Sequence, residues 1–304
     1  MKIAVTGASG FVGSAVAKAL CDAGHQVTAL TRDPEHYSGA GAAVAADVMD
    51  AHSLRRALEG HDAAYYLVHS LTEADFAAKD RIGAHAFATA ATNAGLGQII
   101  YLGGLGDDGD DLSEHLRSRR EVETILMDLA PTTAVRAGIL IGDGSISWEI
   151  LRQLVERLPV MITPRWVDTR TQPIALDDAL HDLTGVLGRS DTIGETYEIG
   201  GPEPLTYRQM MVTVSRIMNH RRLILPVPLL SPRLSSHWLR LITDVDLTTA
   251  RALVDSMTNE VIVHDRRIDA LLGHIPMSFE AAASRALAVR SERLRAAAGD
   301  RAAA

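Results

Sequence analysis

The N-terminal segment reads Lys2-Ile3-Ala4-Val5-Thr6-Gly7-Ala8-Ser9-Gly10-Phe11-Val12-Gly13. The β-branched run before Gly7 predicts a strand, and the apolar spacing that begins at Val12 predicts a helix. A strand, a tight glycine turn and a helix in this order form a site for a pyrophosphate. We therefore expect the seven residues Gly7–Gly13 to bind a dinucleotide.

Each of the three glycines in this turn has its own expected role. Gly7 permits the sharp turn, because only glycine takes a positive φ without steric cost. Gly10 lacks the Cβ that would hold a phosphate away from the backbone, and Gly13 lets the helix pack close to its strand. The start of the helix then offers unpaired N–H groups and a partial positive charge to the anion.

The composition excludes several classes of protein. The 304 residues allow one large α/β domain, or a core domain with a smaller lobe. A formal net charge of −8 argues against nucleic-acid binding, which needs a basic surface. The single cysteine, Cys21, permits no internal disulfide and disfavours a structural zinc site. Because neither a signal peptide nor an apolar run of about 18 residues is found, we expect a cytoplasmic protein without a membrane span. We also expect a monomer or a homodimer.

Strand-like and helix-like segments alternate along the chain. Apolar strands are predicted at 26–30, 43–46, 63–68, 99–102 and 132–136, with helices between them. This alternation predicts the α/β class, with a Rossmann-type doubly wound parallel sheet and a smaller C-terminal substrate lobe. We assign residues 1–142 to the NAD(P)-binding core and 143–295 to the lobe, of which about 172–200 return to the core sheet. Residues 296–304 are expected to form a flexible tail.

Two segments of the second half carry further expectations. Residues 158–173 contain three prolines and no helical periodicity, which predicts an irregular loop over a site. Within this loop, Arg165 and Arg170 either face an anionic or carbonyl group or pair with neighbouring aspartates. Residues 234–254 have an apolar helical pattern, which we assign to packing in the core.

The end of the second strand sets the expected nucleotide preference. An acidic residue about 20 residues after the glycines would hold the ribose 2′-hydroxyl of NAD. Here Thr31 is followed by Arg32, whose guanidinium can pair with a 2′-phosphate. We therefore expect NADP(H) in preference to NAD. Two alternatives remain, that Asp33 serves NAD instead and that Arg32 is an ordinary surface charge.

The fourth strand ends in Val68-His69-Ser70. Open parallel sheets bind ligands beyond the carboxyl ends of their strands. Val68 and His69 are therefore expected to contact the cofactor.

Four motifs together resemble the short-chain dehydrogenase/reductase superfamily: Gly7 to Gly13, Tyr66-Leu-Val-His-Ser70, Ile99-Ile-Tyr-Leu-Gly-Gly-Leu-Gly106 and Met161-Ile-Thr-Pro-Arg-Trp166. The likeness is to its extended and atypical branches, which include NmrA-like and NAD(P)-dependent epimerase/dehydratase-like proteins, and it covers nearly the whole chain. It implies NAD(P) as cofactor. It also implies that Asp47 caps the adenine amino group and that Val48 packs on the adenine ring.

The resemblance also identifies a departure from the usual catalytic groups. Typical members place a Ser after the fifth strand and a Tyr-x-x-x-Lys pair on the next helix. Here Gly103 and Gly104 stand at the serine positions, His115 stands for the Tyr and Arg119 for the Lys. Gly103 is also expected to line the cofactor site. The hydride-transfer machinery of typical members is therefore incomplete.

Three residues are candidates for replacing the missing groups. His115 can exchange a proton near neutral pH. Arg119 keeps its charge and can hold the nicotinamide ribose, but it cannot act as a base. Tyr101, at the end of the fifth strand, is a second candidate proton donor. The alternative is that His115 and Arg119 are ordinary polar helix residues.

Two functions are consistent with this sequence. The first is an NADP(H)-dependent oxidoreductase that acts on an unidentified small carbonyl or hydroxyl compound, with His115 or Tyr101 as proton donor. The second is a catalytically inactive NADP(H)-binding protein that senses redox state or binds a partner, as NmrA-like proteins do. The missing Tyr/Lys pair favours the second, and the elaborate loop at 158–173 favours the first.

Overall fold

The computed structural model describes residues 1–70, 75–107, 112–163, 165–226, 253 and 255–303. The chain divides into two compact units. The first, here called the sheet unit, contains Met1–Ala137, Ala179–Ile199 and Val263–His274. The second unit contains Gly138–Asp178, Gly200–Ile262 and Ile275–Ala304. The helical segment predicted at 234–254 lies outside the described residues, Leu253 excepted.

The strands, in chain order, are β1 (Lys2–Thr6), β2 (Gln26–Thr31), β3 (Ala42–Ala45), β4 (Ala63–Tyr66), β5 (Gln98–Gly104), β6 (Thr132–Ala137), β7 (Leu140–Ile141), β8 (Val160–Thr163), β9 (Arg170–Thr171), β10 (Ile174–Ala175), β11 (Thr196–Ile199), β12 (Leu205–Thr206) and β13 (Leu223–Pro226). The helices are α1 (Phe11–Asp22), α2 (Ala51–Leu58), α3 (Phe76–Asn93), α4 (Glu114–Leu129), α5 (Ile146–Arg157), α6 (Leu176–Gly185), α7 (Tyr207–Ile217), α8 (Arg267–Leu272) and α9 (Phe279–Ala303), with 3₁₀ turns at Arg165–Asp168 and Ser190–Thr192.

Seven of these strands form one sheet in the order β11-β6-β5-β4-β1-β2-β3. Every neighbouring pair in it is parallel. The strand order reverses between β1 and β4, so the sheet is doubly wound and the predicted Rossmann-type α/β class is confirmed. In such sheets ligands bind beyond the carboxyl ends of the strands at the point of reversal.

Adjacent tyrosines in β4 show how both faces of the sheet are covered. Successive strand side chains point to opposite faces, and Tyr65 and Tyr66 are both buried. The ring of Tyr66 packs 4.9 Å from that of Phe87 on α3 and 6.2 Å from that of Tyr101. The hydroxyl of Tyr65 instead donates to the carbonyl oxygen of Leu183 on α6, at 3.0 Å. Helices therefore bury apolar surface on both sides of the sheet.

The second unit contains short paired strands rather than one large sheet. β7 pairs with β10 and β8 with β13, both in parallel, whereas β9 pairs with β12 antiparallel. The predicted irregular loop at 158–173 is therefore wrong in part, because it contains β8, β9 and a 3₁₀ turn. The partner of β8 lies about 60 residues further along the chain, so the pattern within the segment could not reveal the pairing.

Two further properties of the described residues concern membrane crossing and metal binding. None of their helices has the length and apolar character that a membrane crossing requires. In the same ranges, no three His, Cys, Asp or Glu side chains are grouped so as to hold a metal ion. Cys21 is half-buried on α1 as a free thiol.

Candidate functional site

The glycine turn lies at the carboxyl end of β1, beside β4. Thr6 joins the two strands there, since its hydroxyl donates to the carbonyl oxygen of Tyr65 at 2.9 Å and accepts from the N–H of Leu67 at 3.2 Å. Gly7 then has φ +69°, and the N–H of Gly10 donates to the carbonyl oxygen of Gly7 at 2.9 Å. The chain thus turns sharply and enters α1 at Gly10.

The three glycines differ in what a side chain would meet. A Cβ on Gly7 would lie 2.7 Å from the carbonyl oxygen of Leu67, and one on Gly13 would overlap the carbonyl of Gly7. Both positions are therefore closed by the protein itself. A Cβ on Gly10 would have the Gly7 oxygen, at 3.2 Å, as its one neighbour within 4 Å among the described residues. The space above Gly10 is open, as a bound phosphate requires.

The start of α1 is suited to an anion. Gly10 is its N-cap, no side chain caps the helix, and its first turn carries no acidic residue. The first N–H groups of a helix have no partners within it, and they carry a partial positive charge. A pyrophosphate above Gly10 would therefore meet both donors and a favourable field.

Arg32 and Asp33, which compete for the ribose, have different surroundings. The carboxylate of Asp33 is 2.9 Å from Nδ1 of His36 and accepts from the backbone N–H of His36 at 3.3 Å. The side chain of Arg32 is exposed and has no partner among the described residues. Asp33 is thus engaged in a local turn, whereas the guanidinium of Arg32 is accessible to a ligand.

The two residues expected at the adenine ring lie in the turn between β3 and α2. Oδ1 of Asp47 accepts from the backbone N–H of Met49 at 2.9 Å, so this carboxylate shapes the turn. The half-buried Val48 packs against α3, where a Cβ on Gly83 would lie 3.2 Å from Cγ2 of Val48. One face of Val48 is therefore supported by the core, as a platform for a ring requires.

Four polar residues, His69, Asp80, His115 and Arg119, form what we call the polar cluster, and they lie at the carboxyl ends of β4 and β5. The rings of His69 and His115 are 6.1 Å apart. Both ring nitrogens of His115 are buried and lack a hydrogen-bond partner among the described residues. Burial, followed by the charge of Arg119 and then His69, lowers the pKa of His115 to about 3. His115 is therefore a neutral imidazole at neutral pH.

His69 is neutral for a similar reason. Desolvation by the surrounding protein, followed by the charge of Arg119, lowers the pKa of His69 to about 4, although the residue is exposed to solvent. Val68, directly before it, is half-buried against the core of the sheet unit. The segment after β4 thus presents one apolar and one uncharged polar side chain.

Arg119 is fixed by its contacts to β5. Its guanidinium donates to the carbonyl oxygen of Leu102 at 2.6 Å, while its own carbonyl oxygen accepts from the hydroxyl of Tyr101 at 2.9 Å. Burial raises the pKa of Tyr101 well above its ordinary value. The hydroxyl of Tyr101 therefore supports the helix and faces α4 rather than an open site.

Asp80, on α3, was not identified from the sequence. It is buried, and Oδ1 accepts from the backbone N–H of Ser70 at 2.8 Å, while Oδ2 lies 3.4 Å from the hydroxyl of Ser118 on α4. Burial raises the pKa of Asp80, and the hydrogen bonds and Arg119 oppose this. One signal was present in the sequence: Asp80 lies four residues after Phe76 and seven before Phe87, on the apolar face of α3.

The structure explains why β5 ends in two glycines, Gly103 and Gly104. A Cβ on Gly103 would lie 3.2 Å from Oε2 of Glu123, and one on Gly104 would lie 3.0 Å from Cδ2 of Leu116. Glu123 forms a buried ion pair with Arg136 on β6, at 2.6 Å. A serine at either position would press on these neighbours. The close packing of α4 on β5 therefore favours glycine where typical members carry the serine hydroxyl.

Arg165 and Arg170, in the 158–173 segment, are the candidates from the sequence for contacting an anionic or carbonyl group. Arg170 pairs with Glu260 at 2.7 Å, rather than with Asp168, which pairs with Arg208 at 2.6 Å. Its charge is thus already matched. The side chain of Arg165 lies outside the described part of the chain.

Comparisons with known proteins agree with this geometry. The profile of a family described as NAD(P)H-binding matches residues 7–153, a range that starts at the first glycine of the turn. A Streptomyces griseus protein named (4-alkanoyl-5-oxo-2,5-dihydrofuran-3-yl)methyl phosphate reductase is 32% identical over 229 residues, which are 71% of this chain and 73% of that protein. An uncharacterized protein of Mycobacterium tuberculosis is 28% identical over 72% of this chain, which spans 24% of that longer protein.

Solved structures share the fold at low sequence identity. A triphenylmethane reductase of Citrobacter sp. has a TM-score of 0.77 and 18% identity, over 94% of this chain and 99% of that one. An Escherichia coli NADPH-dependent quinone oxidoreductase with bound NADPH has a TM-score of 0.74 and 20% identity, over 93% and 98%. A nucleoside-diphosphate-sugar epimerase of Staphylococcus aureus has a TM-score of 0.75 and 16% identity, over 93% and 100%. These likenesses establish the architecture alone.

Proposed function

The chain belongs to the NAD(P)H-binding family within the short-chain dehydrogenase/reductase superfamily, and we propose that it is an NADP(H)-dependent reductase of a small carbonyl compound. We place it in the atypical, NmrA-like branches, because His115 and Arg119 stand where typical members carry Tyr and Lys. The expectations of a cytoplasmic monomer or homodimer that binds no nucleic acid stay predictions.

The residues of the sheet unit fit this cofactor. Gly7–Gly13 and the start of α1 would hold the pyrophosphate, and the open space above Gly10 is the observation that supports this. Arg32 would pair with the 2′-phosphate, since Asp33 is engaged by His36. Asp47 and Val48 would contact the adenine, and Val68, His69 and Gly103 would line the remainder of the site. When bound, reduced nicotinamide would supply a hydride.

The observation that carries the catalytic proposal is the unpartnered ring of His115. Buried polar groups almost always have a hydrogen-bond partner, and a neutral imidazole has one donor and one acceptor. We infer that a substrate oxygen supplies the missing partner. The charge of Arg119, four residues later on the same helix face, would stabilise negative charge on that oxygen.

This role differs from that of a conventional acid. Because its pKa is lowered to about 3, His115 is expected to polarise the substrate oxygen as a neutral donor, a use of imidazole known from other enzymes. Arg119 contributes its charge and its N–H donors, because a guanidinium does not act as an acid or a base in proteins. We propose a structural role for Tyr101, since its hydroxyl is bonded to the carbonyl of Arg119.

The Streptomyces griseus relative supports reductase chemistry, because its name gives a reductase of a compound with oxo and alkanoyl groups. At 32% identity this supports the class of reaction rather than the same substrate. We therefore propose a small compound with an activated carbonyl group, and leave its other substituents open.

A second candidate is a catalytically inactive NADP(H)-binding redox sensor or regulator. It is favoured by the bonded hydroxyl of Tyr101 and by the absence of a hydroxyl at Gly103 and Gly104. The two candidates differ in turnover, since a sensor would bind NADPH tightly and reduce no compound.

The experiment is NADPH oxidation against a broad panel of carbonyl compounds, with His115→Phe beside the wild type. Loss of one oxyanion donor is expected to lower kcat about 10²–10³-fold. Arg117→Gln is the matched control, because Arg117 is exposed on the same helix. Unchanged turnover in His115→Phe would remove His115 from the mechanism.

A further inference from the structure

The polar cluster combines hydrogen-bond donors with the absence of a usable acid. His115 offers one ring N–H and Arg119 a permanent positive charge. The hydroxyl of Tyr101 is bonded to the carbonyl of Arg119 at 2.9 Å, and β5 ends in Gly103 and Gly104, which have no side-chain hydroxyl. Of the other two members of the cluster, His69 is a neutral imidazole at neutral pH, because its pKa is lowered to about 4, and Asp80 is buried beneath Ser70 and Ser118.

This arrangement distinguishes two kinds of carbonyl reduction. Hydride addition to a simple ketone produces an alkoxide, a strong base that needs a proton donor in the transition state, a task worth about 10²–10⁴ in rate. Hydride addition to the β-carbon of a conjugated carbonyl produces an enolate, whose charge is delocalised and whose oxygen needs hydrogen bonds and a positive field. The cluster provides the second set of groups and lacks the first.

On the premise of the proposed reductase function, we propose that the substrate is an α,β-unsaturated carbonyl compound whose carbonyl oxygen is bound by His115 and Arg119. The site then serves as an oxyanion hole for the enolate. Asp80 is a positioning residue in this scheme, because it bridges the segment that carries His69 and the helix that carries His115.

The reaction balances without a side-chain acid. A C–H bond forms at the β-carbon with a hydride from the reduced nicotinamide, the C=C pair shifts to the bond between the α-carbon and the carbonyl carbon, and the C=O pair moves onto oxygen. The α-carbon then takes a proton from water and the C=O bond re-forms. The C=C bond is reduced, the nicotinamide is oxidised, and no proton leaves the protein.

The first test compares matched pairs of substrates that differ in a single double bond, such as an enone and the corresponding saturated ketone. With NADPH in excess, the enone should turn over about 10²-fold faster or more, because the ketone lacks its acid. Equal rates for the two members of each pair would overturn the inference and leave the reductase function intact. Failure to reduce either member would contradict both.

The second test uses 4-nitrophenol as a probe of the oxyanion site in the protein without nucleotide. The bound phenol is expected to ionise about 1–3 pH units below the free phenol, because Arg119 favours the anion. Its absorbance reports the ionisation directly. The lowering should be lost in Arg119→Gln and kept in Arg117→Gln. A wild-type protein that binds phenol and phenolate equally would overturn the inference, whatever its activity.

Discussion

The carboxylate of Asp80 accepts a hydrogen bond from the backbone N–H of Ser70 at 2.8 Å, and so ties the segment after β4 to α3. Its second oxygen lies 3.4 Å from the hydroxyl of Ser118 on α4. One buried side chain therefore bridges the two elements that carry His69 and His115. We therefore expect the relative position of the two imidazoles to depend on this bridge.

Replacing Asp80 should separate its hydrogen-bonding role from its charge. Asp80→Ala leaves the N–H of Ser70 without its acceptor, and we expect a loss of about 1–3 kcal/mol in the free energy of unfolding. Asp80→Asn keeps an acceptor and removes a buried charge, so its loss should be smaller. Urea unfolding measures both. Asp75→Asn, at the exposed N-cap of α3 five residues before Asp80, is the control, because the Asp75 side chain makes no capping hydrogen bond, and it should change stability by less than about 0.5 kcal/mol.

The same variants test the positioning role. If Asp80 orients the imidazoles, Asp80→Ala should lower kcat more than it raises KM, and Asp80→Asn should restore part of kcat. Equal kcat in wild type, Asp80→Ala and Asp80→Asn would show that the bridge has no part in the reaction.

The glycine turn allows a test that separates binding from folding. Gly10→Val should abolish nucleotide binding and keep the fold, because the space above Gly10 is open to the ligand and not filled by protein. Gly13→Ala should instead lower the thermal midpoint, because its Cβ would overlap the carbonyl of Gly7. Calorimetric titration and thermal unfolding report the two effects. Normal nucleotide affinity in Gly10→Val would place the pyrophosphate elsewhere.

Sequence patterns were sufficient for the parts of the fold that depend on neighbouring residues. The strand, turn and helix of residues 2–22 could be predicted because the glycines and the apolar spacing lie within one short segment. The parallel sheet followed from the alternation of elements. Pairing of β8 with β13 could not be predicted, because each strand is short and its partner lies far along the chain.

The site was less accessible to sequence reasoning, because its chemistry depends on tertiary contacts. Asp80 accepts from the backbone N–H of Ser70. Every residue except proline has a backbone N–H, so the sequence does not indicate which one a side chain will contact. Similarly, the hydroxyl of Tyr101 has a fixed partner on α4, which the position of Tyr101 at the end of β5 did not reveal. The exception is Asp33, whose contact with His36 lies within four residues and so was open to prediction.

The cofactor preference is tested at Arg32. Arg32→Gln should weaken NADPH binding by about 1.5–3 kcal/mol, the value of a hydrogen bond to a charged group, and leave NADH binding unchanged. Calorimetry with both nucleotides measures this. Equal or tighter binding of NADH by the wild type would contradict the assignment of Arg32 to the 2′-phosphate.

The neutral histidines predict how stability depends on pH. The pKa values of His69 and His115 are lowered to about 4 and about 3 in the folded protein, from the ordinary 6.5. As the pH falls from 6.5 to about 3, these histidines bind protons in the unfolded chain before they do so in the folded protein. The free energy of unfolding should therefore fall as the pH falls through this range. His115→Phe removes one such proton and should reduce the slope. A slope as steep as in the wild type would show that His115 is not buried as a neutral ring.

The most direct test of reductase function is transfer of label from NADPH carrying deuterium at the reactive C4 position of the nicotinamide. The wild-type protein is incubated with a panel of small carbonyl compounds, α,β-unsaturated ones included, and the products are analysed by mass spectrometry. We expect at least one product to gain a single deuterium, and His115→Phe to lower its yield sharply. Tight NADPH binding with no deuterium in any compound of the panel would contradict the account.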